Sequence, residues 1–147
     1  MRTRLLRSLL VLAVLPFAVV LTSLDANAEP SVTVAVGAQG TLLDPTVVVV
    51  PVEITCAGID VTDSFGEAAL LQAVSKRQIA YGGGTIQSQV VCDGTPHPNS
   101  YLIWADPSYA PFIKGDASVS ASVVACDATF TCASGNSGVQ IIRLRRP

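Results

Sequence analysis

The amino-acid sequence predicts an all-β domain, an antiparallel β-sandwich of about seven strands stapled by disulfides. Three observations support this prediction. Short runs of alternating apolar and polar residues are separated by Gly, Pro, Asp and Asn, which is typical of strands joined by turns. Helical periodicity is nearly absent along the same stretch. The chain has four cysteines, an even number, behind an N-terminal segment typical of exported proteins.

Residues 1–28 have the layout of a signal peptide. Arginines at the start precede an almost purely apolar run, and Ala26-Asn27-Ala28 supplies a cleavage site. A permanent N-terminal anchor is the alternative, but a comfortable membrane span takes roughly 20 apolar residues and this run is shorter. The sequence therefore predicts a secreted protein with a single domain over 29–147 and no membrane association after cleavage.

The first strands alternate clearly. SVTVAV places Val32, Val34 and Val36 on one face, and GAQGTLLDP is expected to turn the chain. TVVVVPVEITC follows and carries Cys56 on its inward face. Pro51 in this run has no N–H, so its N–H side should face an edge or a bulge.

The central part of the chain contains one ambiguous segment. In residues 67–81, EAALLQAVSKRQIAY, the composition favours a helix, whereas the flanking strands and the Gly82-Gly83-Gly84 exit favour a strand. A strand is the prediction, with a helix as the open alternative. TIQSQVVC then alternates and is expected to form a strand with Ile86, Val90 and Cys92 facing inward.

The C-terminal part continues the pattern. YLIWA is expected to be a strand and DPSYAPFIKGD a long connection. ASVSASVVAC is expected to be a strand with Val119, Ala121, Val123 and Ala125 on its inward face. The chain should turn at CDATFTC and SGNSG and end in VQIIRLR. Runs with this spacing predict two packed sheets of immunoglobulin-like type, with a closed barrel as the alternative.

The cysteine spacing favours two disulfides over a zinc site. CDATFTC suits a bridge across a tight hairpin between Cys126 and Cys132, which leaves Cys56 to join Cys92 between facing strands of the two sheets. Zinc is disfavoured because the four cysteines do not form paired C-x-x-C motifs.

Charge excludes two classes of partner. Residues 29–147 contain six Lys and Arg against ten Asp and Glu, a formal net charge of −4. Nucleic acids and anionic membranes both require a basic surface, so neither is expected as a partner.

No catalytic residue, metal site or cofactor is predicted. GNSG at 135–138 is only superficially similar to a serine-protease motif, because Asn136 replaces the acidic residue and His97 is the single histidine. His97 is expected to hydrogen-bond Asp93 in a surface loop. The protein is therefore expected not to be an enzyme, and a small secreted hydrolase with a nonstandard site is the alternative.

Aromatic residues provide the best candidate for binding. Tyr101, Trp104, Tyr109 and Phe112 lie within a dozen residues of each other, and such rings contribute large contact areas. The alternative is that Trp104 fills the core while Tyr109 and Phe112 pack the long connection. The expected function is a secreted, non-catalytic binding or structural module for an unknown small molecule, glycan or protein.

Two resemblances accompany these motifs. The sequence resembles an uncharacterised family of secreted actinobacterial immunoglobulin-like domains, and this resemblance implies no particular activity. The residues that carry it are Thr55-Cys56, the glycines at 82–84, VVCDG at 90–94, His97 and GDASV at 115–119. CDATFTC and the following Gly135, Asn136, Gly138, Val139 and Ile141 are similar to the neocarzinostatin-like chromoprotein apoproteins, which are secreted immunoglobulin-like domains. That family closes a short loop with its other disulfide, whereas Cys56 and Cys92 would close a long one.

Overall fold

A computed structural model describes residues 29–147, which form eight strands and no helix. The all-β prediction is therefore confirmed. The strands are β1 (Ser31–Val36), β2 (Gln39–Asp44), β3 (Val47–Ala57), β4 (Asp63–Ser75), β5 (Gln78–Ile86), β6 (Pro96–Ala105), β7 (Gly115–Cys126) and β8 (Cys132–Arg145).

These strands form one sheet that closes on itself. The order β3-β2-β8-β7-β4-β5-β6 makes a ring of seven strands, because β6 pairs again with β3. β1 lies beside the C-terminal half of β3, beyond the end of β2. All pairs are antiparallel except β2 with β8, which is parallel.

The predicted immunoglobulin-like β-sandwich is therefore wrong, and the structure is a closed β-barrel. Alternation with a period of two puts every second side chain inside in both architectures. The difference lies in whether two strands distant in sequence pair at the edges. Here residues 47–55 of β3 hydrogen-bond along residues 96–104 of β6, and this pairing removes both edges.

Aliphatic side chains fill the barrel. Alternate residues of β3 are buried, and so are Val119, Ala121, Val123 and Ala125 on β7, as the alternation predicts. Each buried Val or Leu side chain contributes roughly 1.5–3 kcal/mol relative to exposure. Tyr101 from β6 and Phe112 from the β6–β7 connection are the largest of the fully buried side chains.

The segment 67–81 is extended, which confirms the strand prediction over the helix alternative. It forms the end of β4 and the start of β5, which pair through Ser75 and Gln78 with Lys76 and Arg77 at the turn. Leu70 points into the barrel while Leu71 faces out, as a strand requires.

Three local predictions are wrong. GAQGTLLDP contains β2, because Leu42 fills the core although turn residues surround it. Most of TIQSQVVC lies in the loop 87–95, where Val90 donates its N–H to Ser64 Oγ instead of a strand partner. SGNSG lies within β8, where Gly138 has a φ of 62° and the β7–β8 register shifts opposite it. Such an irregularity is a β-bulge rather than a chain reversal.

Both predicted disulfides, Cys56–Cys92 and Cys126–Cys132, are present. The second joins paired residues at the ends of β7 and β8, as the hairpin prediction requires. The first is not a bridge between two sheets, because Cys56 is buried on β3 while Cys92 lies in the loop 87–95. It therefore links a strand of the barrel to a loop packed on it.

The prediction for Pro51 is confirmed. β1 pairs with residues 52–57 of β3 and β2 with residues 47–49, so Pro51 lies opposite the break between them. Its carbonyl accepts a hydrogen bond of 2.9 Å from Gly37 N. The N and O of a strand residue point to the same side, so the absent N–H also faces this break.

Candidate functional site

The structure divides the four aromatic residues that the sequence groups together. Tyr101 and Phe112 lie in the interior and present no surface to a ligand. Trp104 is 57% exposed and Tyr109 is 44% exposed. The expectation that Trp104 fills the core is therefore wrong, and only Trp104 and Tyr109 are placed where a partner could reach them.

Trp104 borders a groove of about 820 Å³ on the outer face of the barrel. The groove crosses five neighbouring strands, β8, β7, β4, β5 and β6. Strand pairing places Val139, Ser120, Ala69, Gly83 and Trp104 in one row across these strands. Side chains on a strand stand roughly perpendicular to the sheet, so the three small residues in the middle of this row form the floor of the groove.

Larger residues in the adjacent rows form the walls. On one side Tyr81 forms the wall, with its strand partner Leu71 just outside the groove, and on the other side the wall is formed by Glu67 and its strand partner Thr85. Both Leu71 and Tyr81 expose more than a third of their surface. Gly83 leaves room in the floor of the groove, because a Cβ on this residue would point into open space, with Ala68 O at 3.8 Å as its nearest neighbour.

The aromatic end of the groove is fixed by the β6–β7 connection. The rings of Tyr81 and Tyr109 pack at 5.6 Å between centroids with a tilt of 58°. Asp106 N donates to Tyr81 O at 2.8 Å, and Ala110 N donates to Ile79 O at 3.0 Å. These bonds hold the connection against β5, so Tyr81 and Tyr109 are positioned before any ligand arrives.

The groove has an asymmetric charge. Among the described residues that line it, Glu67 is the one acidic residue, and there is no Lys, Arg or His. Uncharged hydrogen-bonding groups come from Thr85, Gln87, Ser120, Ser122 and Asn136. A ligand in the groove therefore meets a floor of small residues, an aromatic end, several uncharged polar groups and one acidic side chain.

Tyr101 supports the part of the groove formed by Ser122 from inside the barrel. Its hydroxyl donates a 2.7 Å hydrogen bond to the carbonyl of Ser122, whose side chain lines the groove. Burial raises the pKa of Tyr101 to about 12. Gly66 makes room for the hydroxyl, because a Cβ there would approach Tyr101 Oη to 2.7 Å. Tyr101 thus belongs to the structure beneath the groove and not to its lining.

The predicted hydrogen bond between His97 and Asp93 is confirmed, at 2.9 Å between Nε2 and Oδ1. Thr95 Oγ1 donates to the same carboxylate oxygen at 2.7 Å and lies 3.2 Å from the same ring nitrogen. Hydrogen bonds from Thr95 are the largest cause of the lowered pKa of Asp93. A hydrolytic triad needs the two histidine nitrogens to serve the acid and the nucleophile separately, and this cluster uses one nitrogen for both.

Ser137 of the GNSG motif has a structural role. Its Oγ accepts a hydrogen bond from Ala121 N at 3.0 Å and donates one to Gly138 O at 2.8 Å. These bonds satisfy the backbone at the β-bulge of β8. Its neighbours Asn136 and Gly138 line the groove, which the sequence analysis did not anticipate.

Sequence reasoning missed most of the groove. Ala69, Tyr81, Gly83, Ser120 and Val139 come from four strands, and no spacing along the chain connects them. One signal was present, since alternation in SVSASV and GGG places serines and a glycine at outward positions of neighbouring strands. It becomes interpretable only when the strand register is known.

Within residues 29–147, no three His, Cys, Asp or Glu side chains gather in a metal-binding arrangement. The same part of the chain contains no helix long and apolar enough to cross a membrane. No protein-family model matches the chain, and a search of curated proteins finds no match. The geometry of the groove is therefore the basis for a functional assignment.

Proposed function

We propose that this protein is a secreted, non-catalytic binding module that holds a small, flat, mostly apolar molecule in the outer groove. The observation that carries this proposal is the row of small residues, Ser120, Ala69 and Gly83, between the exposed side chains of Trp104 and Val139. A smooth outer barrel face would carry larger polar side chains in these positions.

The dimensions and lining of the groove suit a small molecule. Small-molecule sites typically occupy roughly 300–1,000 Å³ and combine apolar surface with a few polar groups, and the groove has a volume in this range and a lining that is more apolar than polar. Trp104 and Tyr81 offer flat faces for an aromatic ligand. Binding would also cover exposed apolar surface that is otherwise costly to leave in water.

The charge of the groove favours neutral or positively charged ligands. Glu67 would repel an anion, and no cationic side chain in the lining would offset that repulsion. A glycan carries hydroxyls across its surface, and Ala69 and Gly83 in the floor offer it no side-chain hydrogen bond, so a flat organic molecule is the better match.

Two further features support the non-catalytic and secreted parts of the proposal. The groove lining contains Ser120 and Ser122, and among the described residues that line it there is no His, Lys or Cys; Glu67 faces Ser122 across the strands, but Ser122 Oγ donates to the backbone carbonyl of Glu67 rather than to its carboxylate. The two disulfides of the domain are typical of proteins that fold in oxidising compartments.

The chain contains one tryptophan, Trp104, so its fluorescence reports directly on the groove. We expect Nile red, a flat neutral dye, to quench Trp104 emission on binding. Gly83→Leu should abolish this binding and leave the fold intact, because the new side chain would point into the groove. Ala35→Leu, on the exposed face of β1, is the matched control and should bind as the wild type does.

The melting temperature of each variant controls for loss of structure. Equal dye binding by wild type and by the folded Gly83→Leu variant would contradict the proposal. Turnover of ester or glycoside test substrates that disappears in Gly83→Leu would instead favour a hydrolase.

A further inference from the structure

The basic residues of the domain are concentrated at one place. Four of the six Lys and Arg in residues 29–147 line a single pocket of about 430 Å³, namely Lys114, Arg143, Arg145 and Arg146. The other two, Lys76 and Arg77, lie at the β4–β5 turn. A strongly positive pocket therefore exists on a domain whose net charge is negative.

Strand register explains why these side chains meet. Arg143 and Arg145 are two residues apart on β8, so both point outward. Gly115, the first residue of β7, pairs with Leu144, and continuing this register brings Lys114 beside Arg145. On the other side β2 presents Gln39 and Thr41, which are uncharged.

Within residues 29–147, none of the four cations has an acidic partner within 4.0 Å. Among residues 29–147 the one ion pair within 4.0 Å is that of His97 with Asp93, far along the chain from this pocket. Asp116 faces Arg143 in the strand register but forms no such pair with it. Lys114 and Arg145 carry like charges and face each other in the continued register, and such pairs destabilise a sheet, so a purely structural role would favour a carboxylate at one of these two positions.

We propose that this pocket is an anion-binding site, separate from the groove, for a small polyanion that carries phosphate or sulfate groups. Arginine guanidinium groups bind such oxyanions through two parallel hydrogen bonds, and the lysine adds a point charge. Four converging cations match a multivalent ligand better than a single carboxylate. An extended nucleic acid is disfavoured, because the basic surface is one pocket and not a stripe.

The test uses tripolyphosphate and sucrose octasulfate as probes, titrated calorimetrically at low ionic strength. We expect Arg145→Gln/Arg146→Gln to weaken tripolyphosphate binding by roughly tenfold or more. Lys76→Gln/Arg77→Gln removes the same charge elsewhere and should change the affinity by less than about twofold. All four residues are exposed, and melting temperatures verify that both double variants fold.

Each result has a defined meaning. Tighter binding of tripolyphosphate than of the sulfate probe would assign phosphate as the ligand group, and similar binding of both would assign polyanions in general. Equal losses in the two double variants would overturn the proposal, because they would show an effect of net charge alone. Absence of binding to either probe, or tighter binding of duplex DNA, would overturn it as well.

Discussion

At the scale of single residues, three loops share an Asp-x-Thr turn. In each, the aspartate Oδ1 accepts hydrogen bonds of 2.7–2.8 Å from the backbone N and the hydroxyl of the threonine two residues later. Asp side chains accept bonds from the backbone two residues on, and the Thr hydroxyl adds a second donor. The same D-x-T pattern at Asp60 and Thr62 lacks these hydrogen bonds, so the pattern alone does not identify the turns. The pairs are Asp44 with Thr46, Asp93 with Thr95, and Asp127 with Thr129.

These turns predict a loss of stability in acid. The threonine hydrogen bonds lower the pKa of all three aspartates below the ordinary 3.8. When the pH falls to the aspartate pKa of the unfolded chain, the unfolded chain binds more protons than the folded chain. The free energy of unfolding therefore decreases as the pH falls further. Urea unfolding at a series of pH values between about 6 and 2 measures this decrease.

A variant with Thr46→Val, Thr95→Val and Thr129→Val is the comparison for this prediction. It lacks the hydroxyl donors, so its aspartate pKa values should return toward normal and its stability should depend less on acid pH. At neutral pH it should be less stable than the wild type, and the two should converge as the pH falls. Parallel pH curves would contradict the role given to these turns.

At the scale of elements, the sequence identifies most strands but not how the connections pack. DPSYAPFIKGD, residues 106–116, is predicted as a long connection, and the structure has one over residues 106–114. Besides its backbone bonds to β5, a polar side chain at an inward position of β4 holds this connection. Gln72 is 2% exposed, its Nε2 donates to Ile113 O, and its Oε1 accepts from Ile113 N, both at 2.9 Å. The hydrogen-bond partners of this buried glutamine lie in another segment, so no pattern in the sequence of its own strand indicates them. The contact therefore could not be predicted.

We expect Gln72→Leu to cost about 1–3 kcal/mol of stability. The substitution keeps a similar volume but leaves the Ile113 N–H and carbonyl without their partners. The connection should loosen, so Tyr109 should pack less firmly on Tyr81 and Nile red should bind more weakly. Urea unfolding and hydrogen exchange of the Ile113 amide measure the two effects.

Gln89→Leu is the control, because Gln89 is an exposed residue of the loop 87–95. It should leave stability within about 0.5 kcal/mol of the wild type. Fast exchange of the Ile113 amide already in the wild type would show that Gln72 does not hold the connection.

At the scale of the whole molecule, closure of the barrel is the feature that the sequence could not reveal. Alternation correctly identifies the inward valines of β3 and β7, because burial follows from a local period of two. The pairing of β3 with β6 depends instead on contacts between residues distant in sequence. The groove depends indirectly on this pairing, because the five strands of the groove acquire their order and curvature from the closed ring.

The Cys56–Cys92 disulfide lies at this closure. Cys56 is on β3, and Cys92 precedes β6, whose first residue Pro96 pairs with Thr55 of β3. The bridge therefore ties the start of β6 to the strand that completes the ring. Cys126–Cys132 only joins the two ends of one hairpin, which are already adjacent in sequence.

Removing the two bridges separately should therefore have unequal effects. The loops span 36 and 6 residues, for which the chain-entropy model gives about 4 kcal/mol and about 2 kcal/mol. Cys56→Ala/Cys92→Ala should lose the larger amount of unfolding free energy, as measured by urea unfolding. The amides that hydrogen-bond β3 to β6 should exchange faster in this variant. Cys126→Ala/Cys132→Ala should lose the smaller amount and leave those amides protected. An equal or reversed order would show that closure of the barrel does not depend on the long bridge.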